Sequence, residues 1–173
     1  GDEPIPGAAA GLDAVEGAGL DRVFHSNNPT KRPIAYESRF ESAGFDVDHE
    51  EVFTAGTITT EYLTTEHADD RLFVIGDPGL DSQLLAAELT LTEDPEVADA
   101  LVASMDREFG YGTLVDAIVA LDRPIPFIGT DPDMLIPQSG YDIPGTGAML
   151  HAIEGVTDRE VDVICGKPSP FAR

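Results

Sequence analysis

Apolar positions in this chain fall into short β-prone runs that alternate with longer stretches of helical spacing. Ala8 to Gly19 sets Ala8, Leu12 and Val15 on one side of a helix that Gly17 and Gly19 close. Arg22 to Ser26 then reads as a strand. Pro33 suits a helix start, and Ile34, Phe40 and Ala43 give that helix an apolar face before Gly44 stops it. Val52-Phe53-Thr54-Ala55 is a short strand and Thr57 to His67 a helix. The alternation then starts afresh, with strands expected over 71–76, 100–105, 127–130 and 161–166 and helices over 80–89, 111–121 and 147–155. Between the last two strands lies a Pro/Gly-rich loop, 131–146, of a length that usually carries function.

Strands that alternate with helices imply a parallel sheet and an α/β fold. One three-layer sandwich is the default, but the small polar strand ends cluster in the first and last thirds while the middle has its own βαβα set. The pattern therefore predicts two sheets, the second inserted into the first over about residues 56–160. Gly1 to Gly7 reads as a connector, so the chain is expected to begin in mid-motif.

The informative strand end is Val23-Phe24-His25-Ser26-Asn27-Asn28-Pro29-Thr30-Lys31, where an apolar run stops in a hydroxyl and two amides just before a helix. In open α/β sheets such an end, together with helix N–H groups, suits an anion, phosphate above all. The far end repeats the theme, since Val161-Asp162-Val163-Ile164-Cys165-Gly166 runs into Lys167-Pro168-Ser169-Pro170. If both strands share a sheet, a hydroxyl and an ammonium meet over one pocket.

Charge narrows the partners. Ten basic residues face 33 acidic ones, a formal charge of −23, which argues against nucleic acid and anionic membranes as partners. Lysine is scarce, with Lys31 and Lys167 against eight arginines, and the acids are dispersed, which suits a salt-rich cytoplasm that screens self-repulsion. No leader or apolar span of about 18 residues is visible, so the expected location is cytoplasmic. The single cysteine, Cys165, sits in an apolar strand pattern and reads as core.

Several familiar motifs fail. Gly166-Lys167 is not a P-loop, because Val161 and Pro168 stand where glycine and Ser/Thr are needed. Gly110-Tyr111-Gly112 and Gly145-Thr146-Gly147 read as a turn and a helix start. His25, His49, His67 and His151 lack zinc-ligand spacing, and no Gly-x-Ser-x-Gly elbow exists. Asp131 and Asp133 alone are a weak metal signal.

The residues that remain resemble a known family. Ser26-Asn27-Asn28-Pro29-Thr30-Lys31 is similar to the second motif of haloacid-dehalogenase (HAD) superfamily phosphatases, in the NagD-like or 4-nitrophenylphosphatase branch with a large α/β cap. Gly166 to Pro170 resembles the third motif, and Gly1 to Gly7 the segment after the first. Asp106-Arg107-Glu108-Phe109, Leu121, Phe127 to Thr130, Pro132-Asp133 and Pro144 to Gly147 fit the cap pattern. The resemblance implies a partial Rossmann-like core, 1–55 and 161–173, with an α/β cap domain over 56–160.

It also implies roles. Ser26 and the Asn27 backbone would bind phosphate oxygens, and Lys167 would be the catalytic cation that offsets repulsion between phosphate and an attacking carboxylate. Loop residues Asp133, Leu135, Gln138 and Tyr141, with Met134 beside them, would select the substrate; at Asp131 the branch usually has asparagine. The family's Asp-x-Asp nucleophile pair and its downstream Mg²⁺-binding acidic motif are not in these residues. Mg²⁺ is therefore expected for a full-length parent and not for this stretch, which holds no metal site of its own and is expected to be inactive alone. The expected activity is hydrolysis of a small phosphorylated metabolite through a phospho-aspartate, with self-association through the cap.

Plainer readings stay open. Singly, Ser26 reads as the cap of a turn and Lys167 as a solvated strand-end charge. The whole chain could instead be a non-catalytic anion- or nucleotide-binding α/β module, or an acidic self-association domain.

Overall fold

The computed structural model describes residues 5–138 and 140–172. Helix α1 (Ala8–Gly17) has the expected limits but buries none of its side chains. Strand β1 (Phe24–Ser26), helix α2 (Pro33–Ser42) and strand β2 (Val52–Thr54) form one β-α-β unit, β1 and β2 pairing in parallel. Phe40 ties the helix to the strand, its ring centroid 4.7 Å from that of Phe24. Helix α3 (Ala55–Glu66) follows β2 without a break. Thr54 and Thr57 cap it reciprocally, each hydroxyl accepting the other's backbone N–H.

The chain then builds β3 (Arg71–Ile75), α4 (Pro78–Ala86), β4 (Thr90–Thr92), β5 (Ala100–Ala103), α5 (Tyr111–Leu121) and β6 (Phe127–Gly129). A hairpin of β7 (Leu135–Ile136) and β8 (Ile143–Pro144) leads into α6 (Thr146–Thr157) and β9 (Val163–Ile164). Five of these strands make an all-parallel sheet in the order β4-β3-β5-β6-β9. The alternation of side chains along each strand divides its core in two. Phe73, Ile75, Leu101, Ala103 and Phe127 meet Ala117, Leu121, Leu150 and Ile153 of α5 and α6 on one face. Leu72, Ala100, Val102 and Ile128 meet Ile58, Leu63, Leu80 and Leu84 of α3 and α4 on the other.

Two parallel sheets, one of two strands and one of five, match the pattern read from the sequence. The expected division at residue 160 does not follow them, because β9 pairs with β6 and extends the larger sheet. The physical reason lies in its side chains: Cys165 is buried beside Ile128, and Ile164 packs under α6 with Leu150. Burial raises the Cys165 thiol to about 11, as befits a core residue. Two further differences are local. The 80–89 helix runs from Pro78 to Ala86, since Glu88 takes a left-handed conformation (φ 62°) and β4 begins at Thr90. The loop 131–146 contains the β7–β8 hairpin. Among the described residues no helix is long and apolar enough to cross a membrane.

The larger sheet's helices grip the loop after β1. Gln83 of α4 donates through Nε2 to the Pro29 carbonyl and to that of Gly79, each at 3.0 Å. A Cβ on Gly56 would lie 2.5 Å from the Pro29 oxygen, and one on Gly79 only 2.2 Å from the Thr30 oxygen. Backbone therefore lies on backbone at both points, with no room for a methyl group. Gly79→Ala should cost about 1–3 kcal/mol in urea unfolding. Gly112→Ala in α5, where a Cβ meets nothing within 4 Å, should be neutral or gain about 0.5–1 kcal/mol. Equal midpoints for the two variants would contradict the close approach.

Candidate active site

Ser26 ends β1, and its Oγ accepts the Asn28 N–H (3.2 Å) while lying 3.1 Å from the Tyr36 hydroxyl on α2. Asn28 folds the next turn, its Oδ1 accepting both the N–H (2.8 Å) and the hydroxyl (2.9 Å) of Thr30. Asn28 thus holds the loop, and Gln83, Gly56 and Gly79 hold it in place.

The other end of the chain arrives through β9. Gly166 donates its N–H to the Thr130 carbonyl at 2.7 Å, and a Cβ there would sit 2.7 Å from that oxygen and 3.0 Å from Asn27 Oδ1. The loops after β1, β6 and β9 therefore cross at one glycine. Immediately beyond it, Lys167 Nζ donates to the His25 carbonyl (3.0 Å) and its own carbonyl accepts from Asn27 Nδ2 (2.9 Å). The same Asn27 amide reaches Asp133 Oδ2 at 3.2 Å. The structure thus brings Ser26, Asn27, Lys167 and Asp133 to one place. It does so through the loops that follow the strands, not by pairing β1 with β9, which belong to different sheets.

The electrostatics follow from burial and from Lys167. Burial, and after it the Lys167 charge, lower the pKa of His25 and favour its neutral imidazole. Asp131, only 2% exposed, accepts the Thr146 hydroxyl (2.6 Å) and the Thr130 hydroxyl (3.2 Å) on Oδ2 and the Asp133 N–H (3.1 Å) on Oδ1. Desolvation outweighs these donors and, helped by the Asp133 charge, raises its pKa to about 6. Asp131 thereby anchors the start of the loop that presents Asp133 to Asn27.

The other loop residues lie apart. Leu135 (58% exposed), Gln138 and Tyr141 (72% exposed) stand on the surface of the β7–β8 hairpin, as does Met134. Tyr36, Gln83 and the backbone of His25 were not singled out by the sequence. Tyr36 alone left a trace there, as a hydroxyl on the helix directly after the motif loop.

Mg²⁺ demands near-octahedral oxygen coordination. The described carboxylates here are Asp131, already taken by three donors, and Asp133, hydrogen-bonded to Asn27. That set does not fit Mg²⁺. Elsewhere His49, Glu37 and Asp48 cluster on the surface, with His49 Nδ1 2.8 Å from Glu37 Oε2 and 3.1 Å from Asp48 Oδ1. The pKa of His49 is raised, chiefly by the Glu37 hydrogen bond, so the group reads as an ion-paired histidine.

A hydroxyl, an amide-rich turn and an ammonium gathered at the carboxyl ends of parallel strands are the groups that an oxyanion would need. The family profile described as haloacid dehalogenase-like hydrolase matches residues 1–90. The chain belongs to this family. An acid sugar phosphatase of Staphylococcus epidermidis is 30% identical over 171 residues, 99% of this chain and 65% of that protein. Among solved structures, a p-nitrophenyl phosphatase from Archaeoglobus fulgidus superposes with a TM-score of 0.89 at 32% identity, covering 98% of this chain and 65% of the other. NagD from E. coli K-12 superposes at 0.85 with 26% identity, covering 98% and 65%. The fold is therefore that of the capped HAD phosphatases, and the chain spans about 65% of the length of these relatives.

Within this HAD-family chain Asp131 makes a pH test available. A carboxyl whose folded pKa is raised from 3.8 to about 6 adds stability that is complete below 3.8 and is lost as the pH rises through about 6. Asp131→Asn removes that titration. Relative to the variant, the natural chain should lose roughly 1–3 kcal/mol between pH 4 and pH 8 in chemical unfolding. A constant difference across that range would contradict the raised pKa.

Proposed function

We propose that the protein to which these residues belong is a phosphatase that hydrolyses small phosphate monoesters through a phospho-aspartate. The observation that carries this reading is the meeting of Lys167 with the Ser26-Asn27 turn, 140 positions away, through the 2.9 Å bond from Asn27 to the Lys167 carbonyl. Two anions, a carboxylate nucleophile and a phosphate, approach only where fixed donors and a cation offset their repulsion. In this proposal Ser26 Oγ–H and the Asn27 N–H donate to phosphate oxygens, and Lys167 neutralises the charge between the reacting groups. The first aspartate of the Asp-x-Asp pair takes the phosphoryl group as the ester oxygen leaves with a proton from the second. The second then takes a proton from the water that hydrolyses the acyl phosphate to aspartate and inorganic phosphate. The nucleophile, and carboxylates for Mg²⁺, would come from outside the 173 residues, as the greater length of the relatives allows.

A sugar phosphate is the substrate class we infer first, because the Staphylococcus relative is named an acid sugar phosphatase. Asp133 would orient the cap loop over the cradle, while Leu135, Gln138 and Tyr141 would meet the leaving group. The inserted domain would extend over about residues 56–160, with the boundary at its second end modified by β9. Self-association through that domain is part of the same proposal, readable by light scattering. The −23 charge and scarce lysine support a salt-rich cytoplasm, and a melting temperature that rises with KCl would agree with it.

The test compares two proteins on a panel of sugar and aryl phosphates with Mg²⁺. The longer protein should turn over at least one ester, and Lys167→Ala should lower its kcat by about 10²–10³-fold. The 173 residues alone should give no turnover above background. Hydrolysis that survives Lys167→Ala unchanged would contradict the role given to that lysine.

A further inference from the structure

The Ser26 hydroxyl has one proton to give and two lone pairs with which to accept. One lone pair takes the Asn28 N–H at 3.2 Å, and the Tyr36 hydroxyl lies 3.1 Å away on α2. Either hydroxyl can donate across that contact, and the two directions have opposite consequences. If Ser26 donates to Tyr36, its proton is spent inside the protein. If Tyr36 donates to Ser26, both lone pairs are filled and the Ser26 proton can only point outward. A phosphate oxygen can accept a hydrogen bond but a dianion offers none, so anion binding selects the second direction.

We propose that Tyr36 is a positioning residue that fixes the Ser26 hydroxyl as an outward donor for a phosphate-type oxyanion. This rests on the phosphate-binding role given to Ser26 above. Tyr36 need not touch the anion. It sits in the second turn of α2, which Pro33 starts and the Phe40–Phe24 contact locks to β1, so its hydroxyl meets the strand end at a fixed position. The contact is part-buried, which limits the access of a competing water to the same lone pair.

The test is a double-mutant cycle read by inorganic phosphate binding, not by turnover. Titration of the chain with inorganic phosphate, followed by the NMR shifts of the Asn27 and Asn28 amides, gives a dissociation constant even when binding is weak. Tyr36→Phe keeps the ring and removes only the hydroxyl, and its melting temperature and the Phe24–Phe40 ring shifts report whether the packing is intact. It should weaken phosphate binding by about 3- to 10-fold, Ser26→Ala should weaken it at least as much, and the double variant should bind no more weakly than Ser26→Ala. A Tyr36→Phe constant equal to that of the natural chain, or a further loss of the same factor in the Ser26→Ala background, would overturn the inference while leaving Ser26 in its role. No phosphate-dependent shift in the natural chain, or no loss in Ser26→Ala, would overturn the phosphate reading itself and this inference with it.

Discussion

Close backbone contact around one loop sets the geometry on which the rest of the molecule depends. The turn after β1 is pressed against α3 at Gly56, against α4 at Gly79, and against the strand end at Gly166, each with a Cβ-sized space missing. Gln83 closes the same contact with a buried hydrogen bond to the Pro29 carbonyl. A two-stranded β1–β2 sheet would be marginal alone. Here its working end is braced by helices whose other faces are buried under a five-stranded sheet, so the stability of the larger core fixes the position of the smaller sheet's loop.

The electrostatic design follows from that bracing. In a chain with a charge of −23, the amides and ammonium at the crossing of three loops are a local exception. Asp133 is held to Asn27, and Asp131 is buried among hydroxyls, where desolvation favours its neutral form. Of the carboxylates nearest the three loops, Asp133 is thus hydrogen-bonded and Asp131 is made easier to protonate. Burial, and after it the Lys167 charge, lower the pKa of His25. The ammonium itself donates to the His25 carbonyl.

Much of this was legible in the sequence because it depends on local pattern. The 111–121 helix was read at its observed limits, since Leu114, Ala117 and Leu121 carry a clean helical period. Strand β5 was visible as a continuous apolar run because it is buried on both faces. Ser26, Asn27 and Lys167 stood out by residue type at strand ends. What escaped depends on tertiary contact. Pairing of β9 with β6 is decided by where Ile164 and Cys165 find core to pack against, which the run from Val161 to Gly166 does not encode. Strand β4, only Thr90–Thr92, has too few apolar positions to register as a period. The Tyr36 contact and the glycine approaches at 56 and 79 pair residues from separate elements, and no spacing along the chain announces them.

We propose that loops from two different sheets build one oxyanion cradle. A crystal structure of the chain grown with tungstate, an electron-dense phosphate mimic, tests it most directly. The anion should lie within hydrogen-bond reach of Ser26 Oγ and Lys167 Nζ together, over the Asn27 turn. Tungstate bound at arginines elsewhere while this turn stays empty, or Ser26 and Lys167 opening onto separate surfaces, would contradict it.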